Sequence, residues 1–117
     1  MRLLFICARN QWRSPTAEKI FARHPGITTR SRGLAKFARR KLRLVDLQWA
    51  DHICVMEDRH YDHLLELFAD SLPDTPIHVL DIPDHYRFMD PELISLLQGA
   101  LSPILTAALP QSSPPKT

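Results

Sequence analysis

The sequence contains few cysteines and no long apolar stretch. Its 117 residues include two cysteines, Cys7 and Cys54. Two cysteines do not make a disulfide framework, and free thiols persist in reducing compartments. No apolar run is long enough to span a bilayer, and the run near the N-terminus is shorter than the hydrophobic part of a secretory signal. We therefore expect a cytoplasmic protein that has no membrane partner.

Acidic residues are scarce in the first part of the chain. Residues 1–45 hold twelve Lys or Arg and one acid, Glu18, whereas residues 46–117 hold three Lys or Arg and twelve acids, so the net charge is only +2. Such asymmetry is typical of proteins with anionic partners, although the two halves also attract each other within one fold. The basic run from Lys36 to Arg43 is interpreted as a solvated face. Nucleic acid remains an alternative partner for this run, but it is not the favoured one.

The length of the chain suits one domain, which we expect over residues 1–109. Residues 110–117 lack apolar side chains and are expected to be disordered. Strands are predicted over residues 1–6, 27–31, 52–56 and 77–80, and helices over residues 14–24, 44–50, 59–68 and 91–101, with residues 34–43 as a loop or weak helix. This alternation predicts an α/β fold, a four-stranded parallel sheet flanked by helices on both faces.

A cysteine and an arginine stand six positions apart between the first strand and the first helix. The segment from Cys7 to Arg13, CARNQWR, follows an apolar run and precedes Ser14-Pro15, which suits a helix cap and first turn. Backbone N–H groups at such a turn favour an anion, and the same field favours thiolate over thiol. Arg13 offers a planar fork for two phosphate oxygens. The motif therefore predicts a phosphate-binding loop with a nucleophile at its base.

Carboxylates follow the fourth predicted strand. Ligands of parallel sheets bind at the carboxyl ends of the strands, where Cys7 follows strand one and Asp81 and Asp84 follow strand four. We therefore expect a carboxylate acid beside the thiol. Asp90 precedes Pro91 and is interpreted as a helix cap. The residues alone leave the choice between Asp81 and Asp84 open, because acid–base geometry depends on the tertiary structure.

Together these segments resemble the low-molecular-weight protein tyrosine phosphatases. The stretch from Cys7 to Ser14-Pro15 resembles the family's signature, in which a cysteine is followed by five residues and then Arg-Ser. Asn10 matches the asparagine that braces the family's loop. Two further stretches are similar, SRG at residues 31–33 and ADHICVM at residues 50–56. The similarity covers most of residues 2–101.

The resemblance implies a metal-independent phosphomonoester hydrolase, a protein tyrosine phosphatase that works through a cysteinyl-phosphate and needs no cofactor. Cys7 would be the nucleophile, Arg13 the phosphate ligand and Asp84 the general acid. The substrate would be a phosphorylated protein or a small phosphomonoester. The residues expected to contact it or to support the loop around it are Ala8, Arg9, Asn10, Gln11, Trp12, Ser14 and Tyr86.

Some of these roles have simpler readings, and three positions depart from the family's pattern. Ser14 would donate to the Cys7 sulfur, and Trp12 and Tyr86 would wall the pocket, although core packing explains Trp12 nearly as well. Arg9 replaces a usual glycine, which tolerates backbone angles that a side chain resists. Trp12 replaces a cysteine that protects the nucleophile in many members, and His85 replaces a proline in the acid loop.

Two other functions stay open. Arsenate reduction uses the same loop in relatives but needs further thiols, and Cys54 in a predicted buried strand is the only other one. A binding module for phosphoprotein or RNA that has lost turnover would suit Arg9 and the unusual acid loop. His60 and His63 lie one helical turn apart, but without a third ligand they are interpreted as part of an exposed polar face, and no metal site is predicted.

Overall fold

The computed structural model describes residues 1–108. The segment predicted to be disordered, residues 110–117, lies outside the described residues. The elements in chain order are β1 (Arg2–Cys7), α1 (Arg13–Phe21), β2 (Thr28–Gly33), α2 (Leu44–Trp49), β3 (His52–Val55), α3 (Asp58–Phe68), β4 (Ile77–Val79) and α4 (Pro91–Ala108). Every predicted strand and helix is present, and residues 34–43 form a loop.

The four strands form one parallel sheet in the order β2-β1-β3-β4. The predicted four-stranded parallel sheet is therefore confirmed. Strand β1 lies between two neighbours, pairing Cys7 with Gly33 of β2 and Ile6 with Val55 of β3. This central position explains why residues 3–6 form an unbroken apolar run that is 0% exposed.

Helices cover both faces of the sheet, and alternate residues of β1 serve different faces. Leu3, Phe5 and Cys7 belong to the cluster that α1 and α4 cover. Leu4 and Ile6 belong to the cluster that α2 and α3 cover. Cys7 therefore ends β1 on the side of α1. Within residues 1–108, no helix has the length and apolar character that crossing a membrane requires.

Helix α4 continues to Ala108, beyond the predicted end at residue 101. Pro103 lacks an N–H group, and proline disfavours a helix interior. In the structure the helix passes through Pro103, and Ile104 and Leu105 pack against the core cluster. Burial of these apolar side chains offsets the lost hydrogen bond.

The loop after β2 lies directly against the loop after β1. Three backbone N–H groups of residues 34–39 donate to carbonyl oxygens of the first loop: Leu34 to Cys7 at 3.0 Å, Ala35 to Ala8 at 2.8 Å, and Arg39 to Arg9 at 3.0 Å. These bonds connect segments that are distant in sequence. The segment from residue 33 to residue 40 is therefore the outer support of the loop at residues 7–13.

Gly33 allows this close approach. A Cβ atom at residue 33 would lie 2.5 Å from the Ala38 Cβ, 2.8 Å from the Ala8 oxygen and 2.9 Å from the Asn10 nitrogen. Two of these neighbours are backbone atoms and cannot rotate away. Residue 33 must therefore lack a side chain for the two loops to meet.

We expect Gly33→Ala to lower the free energy of unfolding by about 1–3 kcal/mol, the usual cost of overpacking. Gly99→Ala is the matched control, because a Cβ there meets nothing within 4 Å and alanine favours a helix over glycine by about 1 kcal/mol. Urea unfolding measures both changes. Equal stability of the Gly33→Ala protein and the wild type would contradict the close approach.

Candidate active site

The carbonyl groups of residues 7–10 all accept hydrogen bonds from residues 34–39. The oxygens of residues 7–9 accept the bonds from residues 34–39, and the Asn10 oxygen accepts from the Arg39 Nε at 3.2 Å. Among the hydrogen bonds of the described residues, none runs from the N–H groups of residues 8–13 to a protein acceptor. Because the two ends of a peptide unit point in opposite directions, these N–H groups are free to bind an anion.

Asn10 makes the tight turn of this loop. Its φ of 55° lies in the left-handed region, which asparagine tolerates better than most residues. Its side chain is fully buried, with the Nδ2 donating to the Ser14 Oγ at 3.0 Å and the Oδ1 accepting from the Arg40 Nε at 3.1 Å. Arg9, by contrast, has no positive φ. The side chain that replaces the family's glycine therefore causes no backbone strain.

Cys7 lies at the base of the loop with its side chain buried. Its Sγ is 2.9 Å from the Ser14 Oγ. Since that Oγ accepts a hydrogen bond from the Asn10 Nδ2, the Ser14 hydroxyl hydrogen is free to point toward the sulfur. This geometry agrees with the predicted contact between Ser14 and Cys7.

The prediction that Ser14 caps helix α1 is wrong. The residue before the helix is Trp12, which makes no side-chain capping bond, and Ser14 lies inside the first turn. Its hydroxyl is turned toward Cys7 instead. Pro15 does lie in the first turn, as predicted, where its missing N–H group costs nothing.

Arg13 is held rigidly at the start of α1. Only 3% of the residue is exposed. Its Nη1 donates to the Glu57 Oε1 at 2.7 Å and to the Ile82 oxygen at 2.8 Å, and its Nη2 lies 3.5 Å from the Asp84 Oδ1. These contacts come from the ends of β3 and β4, so three strands of the sheet contribute to the position of this guanidinium.

A cavity of about 280 Å³ opens over Cys7. It contains the sulfur, the guanidinium and the carboxylate that the sequence suggested, although they come from distant parts of the chain. Trp12 stands at its rim with 37% of the residue exposed. The lining residues are Cys7, Ala8, Arg9, Gln11, Trp12, Arg13, Arg59 and Asp84.

Three of the predicted contact residues do not line this cavity. Asn10 and Ser14 lie buried behind the loop and support it. Tyr86 is buried in the core that α1 and α4 cover, and its hydroxyl donates to the Glu92 Oε2 at 2.6 Å. The structure therefore places Tyr86 under the acid loop rather than in the pocket wall.

The structure separates the three aspartates near the fourth strand. Asp84 lines the cavity. Asp81 is exposed and lines a different depression. Asp90 accepts the Glu92 N–H at 2.8 Å, which confirms it as the cap of α4. Asp84 is the carboxylate that stands beside Cys7.

Sequence reasoning missed Arg59 and Glu57. Arg59, in the first turn of α3, lines the cavity. Its Nη2 lies 2.8 Å from the Glu57 Oε1 and 3.8 Å from the Asp84 Oδ2. The sequence does contain a signal for these two residues. The third predicted strand ends at Met56, so the next three residues lie at the same sheet edge as Cys7.

Glu57 carries a negative charge between two arginines. Partial burial acts to raise the pKa of Glu57, but hydrogen bonds from Arg13 and Arg59 and their charges outweigh it, so the pKa lies below its ordinary value. The carboxylate is therefore ionised at neutral pH and keeps the Arg13 fork in place.

The interpretation of His60 as part of an exposed face is wrong. His60 is 2% exposed, and its Nδ1 accepts the Glu57 N–H at 3.1 Å. Its Nε2 has no hydrogen-bond partner in the part of the chain that the structure describes. Burial, followed by the charges of Arg13 and Arg59, lowers the pKa of His60 to about 4. His60 is therefore neutral at pH 7, and its Nδ1 satisfies the backbone N–H of Glu57 at the start of α3.

The structure gives Cys54 no role in catalysis or metal binding. Cys54 lies 0% exposed in the core, and burial raises the pKa of its thiol to about 12, which confirms the prediction of inert core. Within residues 1–108, no group of three or more His, Cys, Asp or Glu side chains is arranged to hold a metal ion.

The sheet order and the covering helices define the fold of the low-molecular-weight protein tyrosine phosphatases, which confirms the resemblance at the level of the fold. No family model and no curated protein sequence matches the chain. The likeness is found among solved structures.

Three of these structures cover the chain almost completely. The low-molecular-weight protein tyrosine phosphatase of Streptococcus pyogenes superposes with a TM-score of 0.78 at 17% identity, over 94% of each chain. The YwlE arginine phosphatase of Geobacillus stearothermophilus gives 0.66 at 21%, over 91% of this chain and 93% of its own. Wzb of Vibrio vulnificus, in complex with benzylphosphonate, gives 0.69 at 21%, over 91% and 97%. At these identities the likeness concerns the fold.

We expect His60 to make the protein less stable in acid. Between its ordinary pKa of 6.5 and its folded pKa of about 4, the unfolded chain binds a proton that the folded chain does not. Stability therefore falls as the pH is lowered through this range, by up to about 3 kcal/mol.

His60→Asn keeps an acceptor near the Nδ1 position and removes the titration. Urea unfolding of both proteins at pH 7 and pH 4.5 measures the difference. The loss on acidification should be smaller in the variant, and an identical loss in both proteins would contradict a neutral buried imidazole.

Proposed function

We propose that the protein is a phosphatase that hydrolyses phosphomonoesters through a cysteinyl-phosphate, with phosphotyrosine in proteins as its substrate class. One observation carries the proposal. The Cys7 sulfur, with the Ser14 hydroxyl 2.9 Å away, lies at the base of a cavity that Arg13 and Asp84 also line. A nucleophile, an oxyanion ligand and an acid thus meet in one space.

In the first step the Cys7 thiolate attacks phosphorus in line with the leaving oxygen. The N–H groups of residues 8–13 and the Arg13 fork bind the equatorial oxygens while charge redistributes. Glu57 and the Ile82 oxygen hold one side of that fork, so little reorganisation is needed. Asp84 gives its proton to the leaving phenolate.

In the second step Asp84 takes a proton from water as that water attacks the phosphocysteine. The bond between sulfur and phosphorus breaks, and phosphate leaves with the electron pair returned to Cys7. The Ser14 hydroxyl donates to the sulfur as its charge reappears. The positive charge for both steps comes from Arg13 and from the N-terminus of α1.

An aromatic phosphate suits the rim of the cavity. Trp12 lines the opening, and its indole offers a face on which a phenyl ring can stack. Among the solved structures of the same fold, one is a tyrosine phosphatase and another holds benzylphosphonate. Because another is an arginine phosphatase, phosphoarginine peptides are the comparison substrate in the tests below.

The two alternative functions, arsenate reduction and binding without turnover, make different demands on the site. Arsenate reduction requires a second thiol to release the cysteine adduct, and Cys54 is buried with a pKa of about 12, so it cannot serve. A binding module without turnover would retain the anion site and lack hydrolysis. Arg9, whose backbone is unstrained, no longer argues for that alternative.

We expect Cys7→Ser to abolish turnover of para-nitrophenyl phosphate and of a phosphotyrosine peptide, measured with reductant present, because the hydroxyl is a far weaker nucleophile than the thiolate. Cys54→Ala is the matched control for the other thiol and should retain activity. Vanadate should inhibit the wild type.

Absence of wild-type turnover between pH 5 and 8, in a folded protein that still binds phosphate, would favour the binding module. Faster hydrolysis of a phosphoarginine peptide than of the phosphotyrosine peptide would move the substrate class to phosphoarginine.

Asp84→Asn should lower kcat by about 10²–10⁴-fold, the usual contribution of a general acid. Asp81→Asn is the control, because asparagine suits the positive φ of residue 81 and Asp81 lies outside the cavity. Steady-state kinetics on para-nitrophenyl phosphate measure both. An unchanged kcat for Asp84→Asn would remove this residue from the role.

A further inference from the structure

We propose that the cavity over Cys7, here named the phosphate cavity, continues into a basic groove that binds an acidic side chain next to the phosphorylated residue of a protein substrate. This inference rests on the proposed function and specifies its substrate. The groove encloses about 550 Å³. Its lining residues, which define the name basic groove, are Arg9, Gln11, Ala35, Lys36, Phe37 and Arg39.

The basic groove adjoins the phosphate cavity directly. Arg9 and Gln11 line both spaces. The outer wall is held against the phosphate loop, because the Ala35 N–H donates to the Ala8 oxygen at 2.8 Å and the Arg39 N–H to the Arg9 oxygen at 3.0 Å. The groove therefore has a fixed position relative to a phosphate bound above Cys7.

Several basic residues of the first half form ion pairs with acids of the protein itself. Arg30 and Arg32 pair with the buried Asp46 at 3.2 and 3.1 Å, and Arg40 pairs with Glu18 at 2.7 Å. These pairs account for the attraction between opposite charges within the fold. They leave these three arginines without a free charge for a substrate.

The cations of the basic groove differ in this respect. Within the described part of the chain, no carboxylate forms an ion pair with Arg9, Lys36 or Arg39. The Arg39 Nε donates to the Asn10 oxygen, which holds that guanidinium at the groove. Three unpaired positive charges beside an anion site favour a second negative group on the same ligand.

Phe37 adds an apolar surface to the same groove. It is 89% exposed, more than any other large apolar side chain described. The Lys36 Nζ lies 5.7 Å from its ring centroid. An exposed apolar ring beside the cations suits a peptide that presents an acidic side chain along with its own backbone and apolar atoms.

A second depression that adjoins the phosphate cavity is mostly acidic. It shares Arg59 with the cavity, and its other ionisable lining residues are the acids Glu57, Asp58 and Asp81. Negative charge on a ligand is therefore favoured in the basic groove and opposed in the acidic depression. A nucleic acid strand that extended from the site into this depression would be repelled, so a peptide with one-sided acidity fits better.

The test compares kcat/KM for four phosphotyrosine peptides, with acidic residues on the N-terminal side, on the C-terminal side, on both sides, or on neither. One of the one-sided peptides should exceed the neutral peptide about fivefold, because two exposed ion pairs contribute about that much. The two-sided peptide should gain less. The preference should weaken as salt screens exposed charges.

Lys36→Glu should reduce the ratio of kcat/KM between the preferred acidic peptide and the neutral peptide to about one or below. The ratio cancels any general change in catalysis. Arg23→Glu is the matched control, because it makes the same charge change at an exposed position that lines a separate depression. It should leave the ratio as in the wild type.

The outcomes separate the inference from the function on which it rests. Hydrolysis of para-nitrophenyl phosphate with equal kcat/KM for all four peptides, or a ratio unaffected by Lys36→Glu, overturns the groove and leaves the phosphatase intact. Absence of any hydrolysis overturns both. A 5′-phosphorylated oligonucleotide hydrolysed with a higher kcat/KM than the best peptide would replace the peptide with nucleic acid.

Discussion

The candidate site depends on the outward hydrogen bonding of the phosphate loop's carbonyl groups. Residues 34–39 donate these hydrogen bonds. The N–H groups of residues 8–13 therefore remain free on the inner side of the loop. A buried carbonyl without a donor costs about 1–3 kcal/mol. The bonds from residues 34–39 therefore fix the orientation of the peptide units at residues 7–10. Gly33 permits the contact and Asn10 makes the turn, which makes the loop after β2 a part of the site.

The charge asymmetry of the chain has two uses in the fold. Some basic residues pair with acids of the protein itself, as Arg13 does with Glu57 and Arg40 with Glu18. Others, such as Lys36, which lines the basic groove, form no ion pair among the described residues. Both interpretations of the asymmetry therefore apply, but to different residues. The pair of Arg13 with Glu57 fixes the geometry of the site, and the unpaired cations make the potential beside it positive.

The fold was predictable because its signal is local. Residues 3–6 are continuously apolar, as a strand covered on both faces requires, and the rule that parallel strands present ligands at their carboxyl ends brought Cys7 and Asp84 together before any geometry was known. The failures share a different cause. The exposed face predicted for His60 and the cap predicted for Ser14 rest on helix position alone, but His60 is buried against the Glu57 N–H and Ser14 lies inside the first turn of α1. The contact of Ser14 with the Cys7 sulfur followed from the family resemblance instead.

The sequence by itself determined the order of strands and helices, the cysteine–arginine loop and the kinds of chemical group that the site contains. The tertiary structure decided which of the candidate groups at that sheet edge meet in the cavity. It chose Asp84 over Asp81, brought Arg59 into the cavity, and placed Tyr86 in the core. The physical reason is that apolar periodicity acts over neighbouring residues, whereas the partners of a charge or a hydrogen-bonding group depend on distances between segments that only packing brings together.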